Sequence, residues 1–248
     1  MVTKMLKLTI LDSNSWKRCI DSIAALIDEG TFEFDETGLT LKAMDPSQIA
    51  MVDFEMSKDS FKEYEIDEKQ GIGIDLSELS KIIRRSRAED VISLELKSNK
   101  LEITFSGKTA RKFVMPLIDS TAHPNRPRIE FDANIKIPST DFKDVLADVE
   151  LVSNYVVFDA TPKALIVSSE SESGKAEVDF TPENLLSIEV NQPARAMFPL
   201  EYLKNMAKNT DVTTVVSLGL KKDAPLKMEF AIGKGKITYF LAPRIESV

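Results

Sequence analysis

The sequence predicts an α+β protein built as two similar domains, each with two helices and several strands, and two observations carry that prediction. The first is an internal duplication at a spacing of 124 to 126 residues. Leu76, Leu79, Ser93, Leu94, Leu96 and Lys97 return 124 positions later as Leu200, Leu203, Ser217, Leu218, Leu220 and Lys221, and Phe34 and Asp35 return as Phe158 and Asp159. Val52, Asp53 and Phe54 recur as Val178, Asp179 and Phe180 at an offset of 126, and Phe105 as Phe230 at 125. Small loop insertions within a repeated supersecondary plan produce this kind of drift. The second observation is apolar periodicity, which gives each half a helix, several strands, a second helix and further strands, in that order.

The first helix is expected over residues 15–28, where Trp16, Ile20, Ile23 and Ile27 form one apolar stripe. Its counterpart starts near Ser139, with Phe142, Leu146 and Val149 repeating the spacing. The second helices fall at 76–86 and 200–209. Strand signals, rich in β-branched and alternating apolar residues, fill the gaps, as in VISLEL from Val91, LEITF from Leu101 and KITYFL from Lys236. Pro124, Pro127 and neighbouring turn formers interrupt the pattern after Ile118. The predicted organisation is therefore an N-terminal domain at 1–117, a connecting segment at 118–133 and a C-terminal domain at 134–248.

With 248 residues, 43% hydrophobic and 29% charged, the chain has enough apolar material for real cores and the balance of an ordered protein. No apolar run approaches the roughly 20 residues of a membrane span, and the first ten residues lack a signal-peptide pattern, so a cytoplasmic location is expected. Cys19, the one cysteine, falls among the apolar residues of the first helix and is expected to be a buried small hydrophobe.

Five segments in matching order give the chain its resemblance to a known family: SWKRCIDSI from Ser15, LKAMDPSQIAMV from Leu41, FKEY from Phe61, MPLID from Met115 and the tail YFLAPRIE from Tyr239. Together they resemble proliferating cell nuclear antigen, the DNA polymerase sliding clamp, in its archaeal form, from one end of the chain to the other. The resemblance implies a DNA-clamp fold with two helices packed on antiparallel sheets in each domain. It also implies assembly into a trimeric ring, homotrimeric or heterotrimeric, with helices lining the hole and sheets forming the outer wall. Such a ring encircles duplex DNA without sequence preference and acts as a processivity factor. DNA polymerase, clamp loader, flap endonuclease and DNA ligase dock on it through short peptide motifs, and it needs no cofactor or metal of its own.

If the apolar stripes face the sheets, the opposite helix faces line the hole. Lys17 and Arg18 on the first helix, Lys81, Arg84 and Arg85 on the second, Lys143 on the third, and Lys204 and Lys208 on the fourth are the candidate DNA-binding residues. Most such residues are ordinary solvated helix charges; three helices sharing a basic outer face favour the phosphate-contacting reading. The helix at 139–151 departs from the family pattern, because Asp144, Asp148 and Glu150 outweigh Lys143. A net charge of −8 argues against indiscriminate nucleic-acid binding but suits an acidic exterior around a modest basic lining.

By resemblance, partner peptides would insert apolar side chains into a pocket formed by Met44, Gln48, Ile49, Met51, Ile129, Pro225, Phe240, Ala242 and Pro243, and pair with the C-terminal tail. Met44 and Met51 could equally be plain core. Gln48 stands where many eukaryotic relatives have histidine. Relatives cover the pocket with a large aliphatic residue in mid-linker, where this chain offers His123 and Pro124, with Ile129 later. Ring closure would pair edge strands at 111–117 and 175–181. Arg111, Lys112 and Phe113 would meet Glu177, Val178 and Asp179, with Phe113 as aromatic contact and the charges setting register.

Nothing in the sequence supports an enzyme. One histidine, His123, leaves no nucleophile–base constellation and no His-rich metal site, and the fragments at Gly71–Gly73 and Gly233–Gly235 lack the further glycines of a phosphate loop. A carboxylate-based hydrolase has no positive support. The competing class is a scaffold of the same fold that assembles proteins without enclosing DNA.

Overall fold

Asp12 begins the first helix by accepting a hydrogen bond from the Ser15 backbone N–H at 2.9 Å, and hydrogen bonding to Ser15 holds its carboxyl below the usual carboxylate range. The computed structural model describes residues 5–120 and 123–244. The helix, α1, runs Ser13–Ala24, shorter than the predicted span. Ile27 continues the apolar stripe but reaches the core from beyond the helix end, its N–H on the Ile23 carbonyl at 3.1 Å. Tightened turns end α2 (Leu76–Ile83) and α4 (Leu200–Ala207) before their predicted limits, whereas α3 spans Ser139–Glu150.

The chain forms two compact units: residues 5–48, 52–120 with 123–125, and Ala231–Ile237 in one; Ile49–Met51, Arg126–Phe230 and 238–244 in the other. The first half contributes β1 (Leu6–Ile10), β2 (Glu29–Asp35), β3 (Gly38–Met44), β4 (Ala50–Ser57), β5 (Glu63–Ile66), β6 (Gln70–Asp75), β7 (Val91–Lys97), β8 (Lys100–Ser106) and β9 (Ala110–Pro116). The second contributes β10 (Ala133–Pro138), β11 (Tyr155–Thr161), β12 (Ala164–Ser171), β13 (Gly174–Phe180), β14 (Ser187–Val190), β15 (Ala194–Pro199), β16 (Val215–Leu220), β17 (Leu226–Ile232) and β18 (Gly235–Leu241). Strand order is duplicated as faithfully as sequence. One run reads β5-β1-β7-β8-β9 and its repeat β14-β10-β16-β17-β18; the other reads β6-β2-β3-β4 and its repeat β15-β11-β12-β13.

The recurring residues are largely the buried ones. Leu76, Leu79, Phe34, Phe105 and Leu94 are core, and so are Leu200, Leu203, Phe158, Phe230 and Leu218. The Val-Asp-Phe repeat is different: Val52 and Asp53 are buried in β4, whereas Val178 is half-buried and Asp179 exposed in β13. The physical reason is position, since β4 is flanked by β3 and β18 while β13 ends its sheet.

Small residues fix close approaches. In unit 1 a Cβ on Gly235 would stand 2.8 Å from Cys19 Sγ and 3.0 Å from both Phe54 and Met56, so only glycine lets the start of β18 lie beside β4. Burial pushes the Cys19 thiol up to about 12, so the cysteine is the inert hydrophobe that the sequence predicts. Gly73 of β6 admits the start of the connecting segment. The Ile118 N–H donates to the Gly73 carbonyl at 3.0 Å, and a Cβ there would meet Ile118 O at 2.4 Å. His123 Nε2 reaches Glu33 Oε1 at 3.0 Å further along.

Asp90 is fully buried behind β9. It pairs with the Arg111 guanidinium and accepts the Arg87 N–H at 2.7 Å, while Arg111 also donates to the Arg85 carbonyl at 2.7 Å and lies over Phe105. Arg111 is thus held by its own chain, which removes it from the set of charges that the sequence offers for register between subunits.

Gly73→Ala should cost about 1–3 kcal/mol, because backbone rather than a flexible side chain must move, and limited proteolysis should cut the connecting segment faster than in the unmodified protein. Asp90→Ala strands Arg111 and should lower stability by about 3 kcal/mol in a denaturant titration.

Candidate nucleic-acid and partner interfaces

The outward faces of α1 and α2 carry cations because their inward faces are consumed by core packing: Trp16, Cys19, Ile20 and Ile23 on one helix, Leu76, Leu79 and Ile83 on the other. The cations are less free than the sequence implies. Asp21, low in the groove between the helices, accepts from Ser80 Oγ at 2.7 Å and from Arg84 Nε at 2.8 Å. Lys81 pairs with Glu78 at 2.6 Å. Among the described residues Lys17 and Arg85 carry no ion pair, and Arg85 is exposed while Lys17 is half-exposed. Arg18 is half-exposed and has partners of its own.

The second helix pair repeats the architecture with a different charge balance. Lys143, Lys204 and Lys208 line one groove between α3 and α4, together with Leu146, Asn205 and Ala207. Lys143 Nζ donates to the Thr210 carbonyl at 2.7 Å and Lys204 pairs with Glu150, leaving Lys208 without an ion pair among the described residues. On α3, Asp144 is exposed, and so is Glu150 at its end. The deficit of positive charge that the sequence shows on this helix therefore persists at its surface.

On β9, Arg111, Phe113 and Met115 share one face, and Lys112 and Val114 the other. Phe113 is half-buried against Phe105, their ring centroids 5.4 Å apart. Lys112 pairs with Glu102 at 2.6 Å. Both β9 and β13 end their sheets, each with one flank unpaired. On β13, Glu177 and Asp179 project outward and Glu177 pairs with Lys175. Val114 and Leu151 are exposed apolar residues that sequence periodicity does not single out. Leu151 follows α3, whose end is tied to β12 by the Ser169 hydroxyl donating to the Val149 carbonyl at 2.8 Å. Its isolation just past a helix C-terminus gives it no periodic signal.

The residues expected to form the peptide pocket divide. In unit 2, Ile49 precedes β4 and its carbonyl accepts the Ala242 N–H at 2.8 Å, which joins the start of β4 to the tail. Phe240 and Met51 are buried, so Met51 is core, while Ile49, Ile129, Pro225, Ala242 and Pro243 are half-exposed. In unit 1, Met44 is half-exposed and Gln48 exposed; Gln48 adopts φ 61° and folds its side-chain amide back onto the Asp45 carbonyl at 3.2 Å. The tail is already anchored. The Arg244 N–H donates to the Met197 carbonyl at 2.8 Å, and its guanidinium lies 3.9 Å from the centre of the Tyr155 ring. Tail N–H groups for an incoming strand would come from beyond Arg244, outside the described residues.

Among the described residues no group of three or more His, Cys, Asp or Glu could hold a metal ion, and no helix is long and apolar enough to cross a membrane.

Two family models match consecutive parts of the chain: "Proliferating cell nuclear antigen, N-terminal domain" over residues 5–117 and "Proliferating cell nuclear antigen, C-terminal domain" over 125–245. Relatives named DNA polymerase sliding clamp include one from Methanococcus maripaludis, 35% identical over 245 residues that make up 95% of this chain and 98% of the relative. Another, from Thermofilum pendens, is 35% identical over 98% of this chain and all of its own length. A solved structure described as the C-terminal region of FEN-1 bound to A. fulgidus PCNA superposes with a TM-score of 0.90 at 28% identity, covering 98% of this chain and 100% of that one. Sequence, duplicated topology and these matches agree that the chain belongs to the proliferating cell nuclear antigen family.

Proposed function

We propose that the chain is a DNA sliding clamp: a non-catalytic subunit of a trimeric ring that encircles duplex DNA, serves as polymerase processivity factor and docks replication and repair proteins. The observation that carries the ring is a contrast between repeat mates. Inside the chain β18 neighbours β4, and both are largely buried; their counterparts, β9 and β13, are sheet edges with alternating exposed residues. Pairing β9 of one copy with β13 of the next repeats between chains what β18 and β4 do within one. Such a contact is head-to-tail, and head-to-tail contacts close into rings when the rotation permits. Phe113, Val114 and Leu151 supply apolar surface to it, and Lys112, Glu177 and Asp179 set register.

The helix cations would then face the DNA. Their bonds go to phosphates, which carry no base information, so binding is sequence-independent and salt-sensitive. Lys17, Arg85 and Lys208 contribute most, because Lys81, Arg84, Lys143 and Lys204 are engaged by neighbouring carboxylates or carbonyls. An enclosing ring needs no tight grip, and the acidic remainder of the chain repels the polyanion elsewhere. Polymerase, flap endonuclease, DNA ligase and clamp loader would dock on the surface around Ile49, Phe240, Ala242 and Pro243, consistent with the FEN-1 region that a relative binds. The protein works in the cytoplasm without a cofactor.

Purified chain should elute from a sizing column as a trimer, or assemble into one only with sister subunits if the ring is heteromeric. Phe113→Ala should elute as a folded monomer, its circular dichroism unchanged; a persistent trimer would refute the edge assignment. Lys17→Glu with Arg85→Glu should leave the trimer intact, shorten retention on circular DNA and flatten the salt dependence by about 0.9 in log–log slope for each phosphate that is no longer neutralised. An unchanged slope would mean that these helices do not face DNA.

A further inference from the structure

The turn that follows α2 carries three exposed arginines, Arg84, Arg85 and Arg87, and its backbone is fastened by side chains from distant parts of unit 1. The Arg85 carbonyl accepts a hydrogen bond from Arg111 of β9 at 2.7 Å, and the Arg87 carbonyl accepts the Ser13 hydroxyl of α1 at 2.7 Å. Between them, the Arg87 N–H donates to the carboxylate of buried Asp90, which also pairs with Arg111. Both partners of that pair are packed in. A Cβ on Gly107 would collide with the Asp90 carboxylate, and the Arg111 guanidinium lies 5.1 Å from the Phe105 ring centroid.

The repeat mate of this turn, after α4, is closed more simply. Ser139 donates to the Asp211 carbonyl as Ser13 does to that of Arg87, and Thr210 donates to the Ala207 carbonyl as Ser86 does to that of Ile83. Where Asp90 accepts the Arg87 N–H, however, the mate uses only the hydroxyl of Thr214, which accepts the Asp211 N–H at 3.0 Å. A hydroxyl therefore suffices to hold the turn. The carboxylate and its guanidinium appear in the half whose turn carries Arg85, where the other half has Asn209. They take up the backbone of Arg85 and leave its side chain: among the described residues Arg85 carries no ion pair, whereas Lys81 and Arg84 beside it are engaged by Glu78 and Asp21. Because Asp90 offsets Arg111, the pair adds no net charge and acts through the geometry of the turn. A carbonyl at the C-terminal end of a helix carries partial negative charge and repels a phosphate. Arg111 covers the Arg85 carbonyl with Nη1 while Nη2 holds Asp90, which needs the planar fork of a guanidinium.

We infer that Arg111, braced by Asp90, is a positioning residue for DNA binding: it fixes the Arg85 backbone and masks its carbonyl, so that the Arg85 guanidinium reaches a phosphate. The inference rests on the DNA-facing reading of α1 and α2 proposed above. Arg111 itself does not touch DNA, since its side chain is only 21% exposed and committed to Asp90 and the Arg85 carbonyl.

The test uses the full-length protein in its assembled form and a short fluorescent duplex titrated by anisotropy, with Arg111→Lys, Arg85→Ala and the double variant. Lysine keeps a charge beside Asp90 but has no fork with which to bridge carboxylate and carbonyl. Arg85→Ala should lower the log–log salt slope by about 0.9, and Arg111→Lys should weaken binding about threefold at low salt with the assembly intact on a sizing column. In the Arg85→Ala background the same lysine substitution should have no further effect, because one residue acts through the other. An equal loss in both backgrounds, or no loss in either, overturns the positioning role; loss of the assembly would assign Arg111 to the subunit edge and overturn it too. If Arg85→Ala leaves the slope unchanged, the DNA-facing reading fails and the inference with it. Should Arg111→Lys not fold, Asp90→Asn, which slackens the brace, should show the same dependence on Arg85, and a loss independent of Arg85 would overturn the inference.

Discussion

Backbone pairing at strand edges is the constraint that organises everything else in this molecule. A strand in the middle of a sheet satisfies its N–H and C=O groups on both flanks; a strand at the end leaves one row to water or to another chain. The duplicated halves resolve this differently for equivalent strands. β4 and β18 are neighbours and largely buried, with Ala50, Met51, Val52 and Phe54 in the core from one and Ile237, Tyr239, Phe240 and Leu241 from the other. β9 and β13 have no such neighbour and alternate between half-buried and exposed residues. One repeated plan thus yields equivalent strands with opposite surroundings, one pair flanked on both sides and the other with one flank unpaired.

The helices show how a core sets a charged surface. Each presents an apolar stripe to its sheets, and the charge pattern on the remaining face is then modulated locally. Asp21 ties Ser80 and Arg84 together across α1 and α2, while Glu150 takes Lys204. The exposed Lys204–Glu150 pair contributes little to stability, since surface ion pairs are worth about 0–1 kcal/mol. The larger effect of both pairings is to dilute the positive field of the helix faces. A helix face of such modest net charge would hold any polyanion only weakly, because each phosphate interaction is weak and easily exchanged.

The connecting segment is held by different chemistry at its two ends. Near its start, Ile118 forms an isolated bridge with Gly73 and His123 reaches Glu33. Further along, Arg126 lies over Phe240 and the Phe131 ring fills the space above Gly219, where a Cβ would come within 2.8 Å of it. Glycine at two positions and aromatic faces at two others accomplish by close approach what the proline-interrupted segment cannot achieve through secondary structure of its own.

The linear order of residues was enough to establish the α+β class, the duplication, all four helix locations and the family, because burial of a periodic apolar face leaves a record along the chain. The segments that carry the family resemblance are anchored in such burial: Phe61 packs edge-on against Trp16, and Tyr64 donates to the Gly38 carbonyl at 2.6 Å. Helix ends are less legible where an apolar residue such as Ile27 enters the core from beyond the last turn, since periodicity does not distinguish helix from its continuation. Which cations are engaged emerged from the folded chain alone. Arg111 on Asp90, Arg84 on Asp21 and Arg126 over Phe240 bring together residues 21, 63 and 114 positions apart. Charge and ring contacts at such separations depend on the path of the backbone in three dimensions, and a one-dimensional pattern of residues carries no trace of them.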